Sequence, residues 1–416
     1  MLQSKLFTKT RREPPSDEVS KNAQLLIRAG YIHKEMAGVY SYLPLGLRVL
    51  NNICNVIREE MNAIGGQEMI LTALQDRALW EKTNRWSDEV VDNWFKTKLK
   101  NDTELGLGFT HEEELTNLMK DHINSFRDLP IYAYQIQTKF RNESRAKSGI
   151  IRGREFLMKD LYSFSRDEEE HKVFYEKCKK AYKNIFKRVG IGEKTYVTSA
   201  SGGVFSKYSD EFQTVTDAGE DMIYICNKCK SAINKEIKLE NANCSECGSS
   251  DFREEKAVEV GNIFSLGTRF SEAFNLKYVD KNGENKLVFM GSYGIGPGRL
   301  MGTIVEVLAD DRGIIWPKEV APFTAHLIEL KSDNKKVNAT AKKIYQDLQK
   351  QGVQVLYDDR QDKQAGEKFA EADLIGIPYR LVISEKTLAK NSVELKERSK
   401  SEAKLVKIKQ LTKAFK

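Results

Sequence analysis

A basic segment, QTKFRNESRAKSGIIRGREFLMKD (residues 137–160), reads as two strands joined by a loop. Arg141 and Glu143 share one face of the first strand, and Arg152 lies in the loop, four residues before Phe156. Arginine stays charged when partly desolvated, and its planar guanidinium fits carboxylate and phosphate oxygens. Such a set of arginines suits a phosphate-bearing ligand, and Glu143 and Phe156 could supply an acceptor and a flat apolar face for a purine. A solvated hairpin whose charges pair among themselves fits the same spacing.

The stretch GFTHEEE (108–114) places a threonine and three carboxylates after a short apolar strand. Thr110 and Glu112 could together hold an ammonium group. The alternative is a helix N-terminus, with Thr110 as N-cap and Glu112 and Glu113 in the first turn. A helix start can also line a pocket, so the two interpretations are compatible.

The stretch MGSYGIGPGRLMG (290–302) combines closely spaced glycines with an arginine. The glycines allow a ligand to approach the backbone, and Arg299 lies just inside a helix predicted to begin near Pro297. The spacing fits neither the Walker loop nor GxGxxG. A glycine-rich turn that packs a helix against a strand is the alternative.

The six cysteines are of two kinds. Four form two CxxC pairs with 14 residues between them: Cys226, Cys229, Cys244 and Cys247. This spacing matches a tetrahedral four-thiolate zinc site, and four thiolates leave no open position for catalysis, so a structural role is predicted. Cys54 and Cys178 lie on apolar helix faces and are predicted to pack in the core.

Several elements must position these residues. Apolar residues recur every three or four positions over 47–64, which predicts a helix ended by Gly65 and Gly66. QEMILTAL (67–74) is suited to a strand. A second helix is expected to begin near Ser165, which with Glu168 makes a capping box, and to run to Gly190.

Residues 131–164 predict two strands around the basic loop, and KLVFMGSYGIG predicts a strand followed by a helix. After the proline-punctuated IIWPKEVAPF, strands and helices alternate from AHLIEL to YRLVIS. This alternation predicts a small α/β domain at the C-terminal end.

The 416 residues, 40% apolar and 31% charged, predict two or three globular domains. No run is long enough for a membrane span and the N-terminus has no apolar signal region, so a cytoplasmic protein is expected. The net charge is −1 for residues 1–330 and +8 for 331–416. The basic module suggests a polyanionic partner, most simply nucleic acid, with a lysine-rich solvated surface as the alternative.

Taken in order, these motifs resemble the class II aminoacyl-tRNA synthetases, and among them the bacterial prolyl-tRNA synthetase family. The resemblance covers nearly the whole chain except about forty residues around the four cysteines. It is carried by these stretches: YSYLPLGLRVL, THEE, QIQTKFRNE, REFLMKDLYSF, EVGNIFSLGT, MGSYGIG, GIIWPKEVAPF, VLYDDR and LIGIP.

The resemblance implies an α+β fold: an antiparallel-sheet catalytic domain, a small zinc-ribbon-like insertion and a C-terminal α/β anticodon-binding domain. The implied boundaries are 1–220 and 257–318 for the catalytic domain, 221–256 for the insertion and 319–416 for the anticodon-binding domain. It also implies a homodimeric proline–tRNA ligase that uses ATP and Mg²⁺, with proline and tRNA(Pro) as substrates.

The resemblance further implies roles in ATP binding. Arg141 would bridge the α-phosphate and the proline carboxylate, and Arg299 would cover one adenine face and a phosphate, which makes these two the catalytic residues. Glu143 would meet the adenine edge, Arg152 would take the γ-phosphate, and Phe156 would stack on adenine.

Proline binding and anticodon reading are implied in the same way. Thr110 and Glu112 would receive the imino group of proline, and the rest of the proline pocket would consist of Arg141, Ser209, Ser292 and Gly294. Arg360 and Lys368, near Asp358 and Asp359, would read anticodon bases.

The chain departs from the family pattern in several places. Thr72 replaces a proline in the first signature motif, Asn262 and Ser292 replace a histidine and a cysteine, and GGVFSKYSDEF (202–212) has extra residues and Asp210 in place of histidine. The long editing domain of many bacterial relatives is absent. An apolar pocket sized for proline discriminates only weakly against alanine, by about 1–3 kcal/mol, so the chain is expected to mischarge alanine without editing it.

Three other classes fit parts of the sequence. A non-catalytic paralogue would be expected to lack the ATP arginines, which are present here. A zinc-ribbon RNA-binding protein leaves the first 220 residues unexplained. A threonyl, glycyl or histidyl enzyme fits the QIQTKFRNE and REFLMKDLYSF runs less well than a prolyl enzyme.

Overall fold

The computed structural model describes residues 1–144, 146, 148–201, 208–238 and 242–415. Its α-helices are α1 (Lys21–Arg28), α2 (Pro44–Ala63), α3 (Arg77–Glu81), α4 (Glu112–Met119), α5 (Glu168–Arg188), α6 (Lys235–Lys238), α7 (Arg269–Phe274), α8 (Pro297–Leu308), α9 (Lys335–Lys350), α10 (Ala365–Ile375) and α11 (Glu385–Ala389). Its strands are β1 (Ile32–Met36), β2 (Val39–Tyr42), β3 (Gln67–Glu68), β4 (Leu74–Asp76), β5 (Lys96–Lys98), β6 (Glu104–Leu107), β7 (Ile131–Phe140), β8 (Glu155–Ser165), β9 (Thr195–Ser201), β10 (Tyr208–Val215), β11 (Asp221–Cys226), β12 (Ala232–Asn234), β13 (Phe252–Gly267), β14 (Lys277–Val279), β15 (Asn285–Leu287), β16 (Phe289–Ile295), β17 (Ala325–Glu329), β18 (Val355–Asp358), β19 (Tyr379–Ile383), β20 (Ser392–Glu397) and β21 (Ala403–Lys407).

The chain forms two compact units. The smaller comprises Met1–Glu35, Ser41–Asn52 and Ile304–Lys416, and the larger comprises Met36–Tyr40 and Ile53–Thr303. No helix in the described part of the chain is both long enough and apolar enough to cross a bilayer.

The larger unit is built on a nine-stranded, mostly antiparallel sheet. Its strand order is β10-β9-β12-β11-β13-β16-β8-β7-β3, and β10 also pairs with β13. The predicted hairpin is confirmed, since β7 and β8 pair from Ile131↔Phe164 to Phe140↔Glu155. The predicted glycine-rich strand is also confirmed: β16 lies between β8 and β13, at the centre of the sheet.

The helix α5 covers part of this sheet. Of the apolar residues expected along this helix, Phe174, Ala181, Tyr182 and Ile185 are buried, whereas Val173 is exposed. The predicted capping box at Ser165 is wrong. Ser165 belongs to β8, and Asp167 caps the helix by accepting a hydrogen bond from the amide of Glu170 at 2.9 Å.

The predicted strand over 67–74 is also wrong in extent. Only β3 joins the large sheet, and β4 pairs with β6 in a separate small sheet. Between them, side chains satisfy the backbone: the amide of Leu71 donates to Gln135 and that of Thr72 to Glu114. Side-chain acceptors therefore replace the ladder that apolar character alone predicts.

The smaller unit contains the predicted α/β module. Its sheet has the order β18-β17-β19-β20-β21, with β17 parallel to both neighbours and β19, β20 and β21 antiparallel. The first residues of the chain, expected in the catalytic domain, group with this unit. For example, the Tyr31 hydroxyl donates to the carbonyl of Ile375 at 2.7 Å and accepts from the indole of Trp316 at 2.9 Å.

Candidate active site

Two arginines from distant segments line one cleft of the larger unit. Arg141 follows β7 directly, Arg299 lies in the first turn of α8, and both border a cavity of about 610 Å³. The guanidinium of Arg141 lies over the rings of Phe109 and Phe156, at 4.9 and 5.4 Å from their centroids. Its buried Nε has no hydrogen-bond partner among the described residues.

The electrostatics of this cleft favour an anion. Burial and the nearby charge of Arg299 lower the pKa of Arg141, yet arginine keeps its proton in proteins. Arg299 donates to the carbonyl of Ile151 at 3.0 Å and to a carboxylate oxygen of Glu259 at 3.1 Å. The partnerless nitrogen of Arg141 is therefore the stronger indication of a bound anion.

Strand register explains why these residues meet. The amide of Arg141 donates to the carbonyl of Arg154 at 2.8 Å, so Arg141 remains at the end of the β7–β8 ladder. On β16, Gly294 pairs with Asp160 on one side and Asn262 on the other, and it lines the cleft. A Cβ at Gly294 would come within 2.6 Å of the side chain of Met158. A side chain at position 294 would therefore have to displace the ends of the Met158 and Asn262 side chains, which also line the cleft.

The predicted adenine and γ-phosphate residues border the same cleft but are engaged with each other. Arg152 donates to one oxygen of Glu143 through Nε and a terminal nitrogen, at 3.0 and 2.8 Å. It also donates to Glu220 at 2.8 Å. Phe156 lines the cleft beside them. Glu143 and Arg152 thus pair with each other, as the alternative interpretation of the spacing expects.

Carboxylates that the sequence did not single out line an adjoining cavity. Glu220, Asp221 and Glu259 border it together with Arg141 and Arg299. Nearby, burial and the charge of Glu259 raise the pKa of Glu211 to about 8. An acidic wall therefore faces the arginines.

The predicted ammonium-binding pair lies at the start of α4. The hydroxyl of Thr110 donates to the carboxylate of Glu112 at 2.6 Å. The predicted N-cap is wrong: His111 takes the cap position and makes no side-chain capping bond. Because Thr110 bonds a side chain rather than a backbone amide, it orients the carboxylate of Glu112.

A buried polar network lies behind this pair. Lys139 bonds the ring of His111 and the carboxylate of Asp160, the latter at 3.0 Å. The hydroxyl of Tyr162 donates to the same carboxylate at 3.1 Å and accepts from the amide of His111 at 3.2 Å. This network therefore fixes the backbone next to Thr110 through the amide and ring of His111.

The other predicted proline-pocket residues are not all brought together. Gly294 lines the arginine cleft, and Ser292, two residues earlier on β16, is half-buried opposite Tyr162. Ser209 donates to the carbonyl of Ser201 at 3.1 Å and lines a different cavity, with Asp210. Residues 202–207 of the predicted pocket loop lie outside the described residues.

Asp210, which stands where the family pattern has histidine, contacts the helix α5. Its carboxylate is 2.7 Å from the ammonium of Lys179 and accepts from the hydroxyl of Tyr175 at 3.1 Å. The negative charge of Asp210 is therefore balanced by the ammonium of Lys179 on α5.

The four predicted metal ligands cluster as the spacing indicates. The sulfur atoms of Cys226, Cys229, Cys244 and Cys247 all lie within 4.8 Å of one another. The Cys226–Cys247 and Cys229–Cys244 sulfur distances are 3.6 and 3.4 Å. A tetrahedral ion with metal–sulfur bonds of ~2.3 Å separates its sulfurs by about 3.8 Å, so the donor set fits such an ion. Cys54 and Cys178 are buried, as predicted.

The two predicted anticodon-reading residues lie in the smaller unit and bond within it. Arg360 contacts Asp358 and Glu371, each at 2.7 Å. Lys368 is fully buried, and its ammonium donates to the carbonyl of Glu329 at 2.7 Å. A base contact by Lys368 would require these internal bonds to open.

Comparison with known proteins gives consistent matches. Residues 95–308 match the family described as tRNA synthetase class II core domain (G, H, P, S and T). Residues 320–416 match the family described as anticodon binding domain. The chain is 39% identical to the proline–tRNA ligase of Rickettsia bellii, over 97% of this chain and 95% of that protein.

A second relative is longer. The proline–tRNA ligase of Bacillus cytotoxicus is 32% identical over 561 aligned positions, which cover 99% of this chain and 98% of that protein. Because the alignment exceeds the 416 residues of this chain, that relative contains a long segment with no counterpart here. Giardia lamblia prolyl-tRNA synthetase, solved in complex with prolyl-adenylate, shares the fold: the TM-score is 0.79 at 19% identity, over 94% of this chain and 75% of that one.

Proposed function

This chain belongs to the proline–tRNA ligase family of class II tRNA synthetases, and we propose that it activates proline with ATP and then transfers the prolyl group to tRNA(Pro). The observation that carries the proposal is the convergence of Arg141 and Arg299 on one cleft that also contains Glu143 and Phe156. The buried Nε of Arg141, which has no hydrogen-bond partner among the described residues, is not explained by the packing of the sheet.

The first step is attack of the proline carboxylate on the α-phosphorus of ATP, with pyrophosphate as leaving group. Arg141 bridges the two reacting groups, which holds the carboxylate oxygen near the phosphorus and neutralises charge that develops on the phosphoryl oxygens. Arg299 supports the nucleotide from the opposite segment, and Thr110 and Glu112 receive the imino group. No covalent enzyme intermediate is required.

ATP has to compete with the ion pairs that Arg152 makes within the cleft. The γ-phosphate replaces Glu220 and Glu143 as the partner of Arg152, which frees Glu143 to accept from the adenine amino group. Because Arg152 and Glu220 are each nearly half exposed, their pair is worth only about 0–1 kcal/mol and is readily exchanged.

Magnesium is proposed as the metal of the activation step. The carboxylates of Asp221 and Glu259 offer the hard oxygen donors that Mg²⁺ uses together with substrate phosphates. When bound, such an ion would supply positive charge to the phosphates, and these carboxylates would hold it.

Zinc is proposed for the four-cysteine cluster, with a structural role. Four thiolates close the coordination sphere, so the ion would fix the fold of the insertion rather than take part in catalysis. The absence of any carboxylate or histidine from this donor set supports that assignment.

The proposed arrangement of the whole protein follows its family. In this proposal residues 1–220 and 257–318 form the catalytic domain, although 1–35 and 41–52 belong to the compact unit that also contains 304–416. Residues 221–256 form the zinc-binding insertion and 319–416 the anticodon-binding domain, in which Arg360 and Lys368 are the proposed base-reading region. The basic charge of that last domain suits a tRNA partner. A homodimer and a cytoplasmic location complete the proposal.

We also propose that this chain does not edit alanyl-tRNA(Pro). The long segment of the Bacillus cytotoxicus relative has no counterpart here, and size exclusion alone discriminates against alanine by only about 1–3 kcal/mol. Incubation of the protein with alanine, ATP and tRNA(Pro) is expected to accumulate alanyl-tRNA. Rapid loss of preformed alanyl-tRNA that depends on the protein would contradict this part.

The activity itself is tested by amino-acid-dependent ATP–pyrophosphate exchange across a panel of amino acids. The proposal requires exchange with proline above exchange with threonine, glycine and histidine. Exchange with one of those in preference to proline would replace the substrate, and no exchange with any amino acid would indicate a non-catalytic paralogue.

A further inference from the structure

Two adjacent carboxylates at the start of α4 are buried side by side. Glu112 is 2% exposed and Glu113 is fully buried. Two neighbouring carboxylates removed from water repel each other, and one of them tends to stay protonated unless a cation is present. If Glu112 receives the amino-acid cation, as the proposed function holds, the charge of Glu113 has to be balanced separately.

Arg85 provides that balance. Its NH1 nitrogen lies 2.8 Å from Oε1 of Glu113 and 3.4 Å from Oε2 of Glu112, and its side chain is 2% exposed. It also lies over the ring of Trp80 at 4.8 Å. Because arginine does not lose its proton in proteins, this buried positive charge is permanent. The shorter contact makes Glu113 its principal partner.

One carboxylate oxygen of Glu113 is engaged within the fold: besides Arg85, the hydroxyl of Thr83 donates to Oε1 at 2.7 Å. The other oxygen, Oε2, is buried and has no hydrogen-bond partner among the described residues. Burial raises the pKa of Glu113, and the guanidinium of Arg85 opposes that rise. Glu112, by contrast, accepts its shortest bond from Thr110, at 2.6 Å. The cluster of two carboxylates and one guanidinium therefore carries one surplus negative charge. Glu112, the member of the cluster that is proposed to receive the amino-acid cation, can carry that charge.

We propose that Glu113 is a positioning residue for amino-acid recognition: it engages Arg85, so that the negative charge of Glu112 remains available to the ammonium group of the substrate. Glu113 does not touch the amino acid. If Glu113 lost its negative charge, the positive charge of Arg85 would pair with Glu112 alone, and the cluster would be neutral. This inference rests on the proposed function, since it concerns the negative charge of Glu112 that recognition of the amino acid requires.

The test uses the full-length protein in ATP–pyrophosphate exchange. Glu113→Gln keeps the shape and both hydrogen bonds but removes the charge. It is expected to raise the KM for proline at least about tenfold while leaving the KM for ATP within about twofold. Cyclopentanecarboxylate, which has the proline ring without its nitrogen, should inhibit the variant as well as it inhibits the parent protein.

A second variant separates charge from packing. Arg85→Gln combined with Glu113→Gln removes one charge of each sign, so Glu112 again carries the surplus. This double variant is expected to return the KM for proline to within about threefold of the parent value. The matched control is Glu114→Gln, which removes the next carboxylate along α4, one that bonds Thr72 instead; its KM for proline should change less than about twofold.

Three results would overturn the inference. An unchanged KM for proline in Glu113→Gln would show that its charge does not reach the site. An equal loss for proline and for cyclopentanecarboxylate would show a change in pocket shape. A double variant as impaired as Glu113→Gln would show that charge balance is not the cause.

The result also remains separable from the proposed function. If the parent protein activates a different amino acid, the proline assignment fails. The same three variants, measured with that amino acid and its analogue lacking the amino group, still decide the role of Glu113.

Discussion

Arg141→Ala removes the guanidinium that lies between the rings of Phe109 and Phe156. Loss of a single donor that stabilises a transition-state oxyanion costs about 10²–10³ in kcat. Because Arg141 is proposed to bridge both reacting groups, we expect proline-dependent ATP–pyrophosphate exchange to fall at least about 10³-fold. The loss should appear in kcat as well as in the KM for proline.

The effect on stability should be small. The buried Nε of Arg141 has no hydrogen-bond partner among the described residues, and the charge of the neighbouring Arg299 repels the guanidinium. The substitution therefore breaks no hydrogen bond at that nitrogen. The remaining cost is the packing of the stem against the two rings, and we expect the free energy of unfolding to change by less than about 2 kcal/mol. Arg141→Met, which keeps an apolar stem, should be equally inactive and closer to the parent in stability.

Arg166→Gln is the matched control. Arg166 follows the other end of β8 and pairs with Glu170 in the first turn of α5, away from the cleft. The exchange activity of the Arg166→Gln variant should remain within about twofold of that of the parent protein. The reasoning would be refuted if Arg141→Ala retained exchange within about threefold, or if its loss of activity were accounted for by unfolding in a thermal melt.

Three further predictions concern other parts of the molecule. The purified protein should contain about one zinc ion per chain, measured by elemental analysis, and Cys229→Ser should lose it and melt at a lower temperature; a metal content unchanged by the substitution would contradict the assignment. Glu220→Gln releases Arg152 from one competing carboxylate and should lower the KM for ATP by up to about fivefold without affecting that for proline; a raised KM for ATP would instead assign Glu220 to nucleotide binding. Burial lowers the pKa of His171 to about 4, so its proton is favoured in the unfolded chain and the folded state loses stability as the pH falls from about 6.5 to 4. His171→Phe should reduce that loss by up to about 3 kcal/mol, measured by denaturant unfolding at each pH, and an identical pH dependence in both proteins would contradict it.

The elements that position the site were predictable because their signals are local. Helical periodicity predicted α2 and α5, alternation around a basic loop predicted the β7–β8 hairpin, and CxxC spacing predicted the sulfur cluster. The glycines of β16 likewise predicted that other groups approach the backbone closely. A Cβ at Gly294 would meet the side chains of Met158 and Asn262. Each of these signals comes from residues a few positions apart in the sequence or, for the cysteines, from a CxxC pair that occurs twice.

Two of the three wrong predictions share a cause, which is competition from distant partners, whereas the third has a local cause. Thr110 has good N-cap chemistry, but its hydroxyl bonds the carboxylate of Glu112. Ser165 begins a capping-box pattern, yet pairing with β16 keeps it in β8 and leaves the cap to Asp167. The strand predicted over 67–74 is interrupted because side chains satisfy its amides.

The residues that sequence reasoning missed make contacts between distant segments. Arg85 precedes its carboxylate partners on α4 by 27 and 28 positions, and Glu220 pairs with Arg152 across 68. A single sequence contains no signal for such a pair, since each residue alone reads as an ordinary surface charge. Only the fold shows that Arg85 is buried and that Glu220 borders the arginine cleft.

The central claim is that Arg141 and Arg299 bind a single nucleotide. A crystal structure of the protein with a non-reactive sulfamoyl analogue of prolyl-adenylate tests it most directly. We predict that the guanidinium of Arg141 contacts both the sulfamoyl group and the prolyl carbonyl, with Arg299 against the adenine of the same molecule. An analogue bound elsewhere, or contacted by only one of the two arginines, would contradict the account.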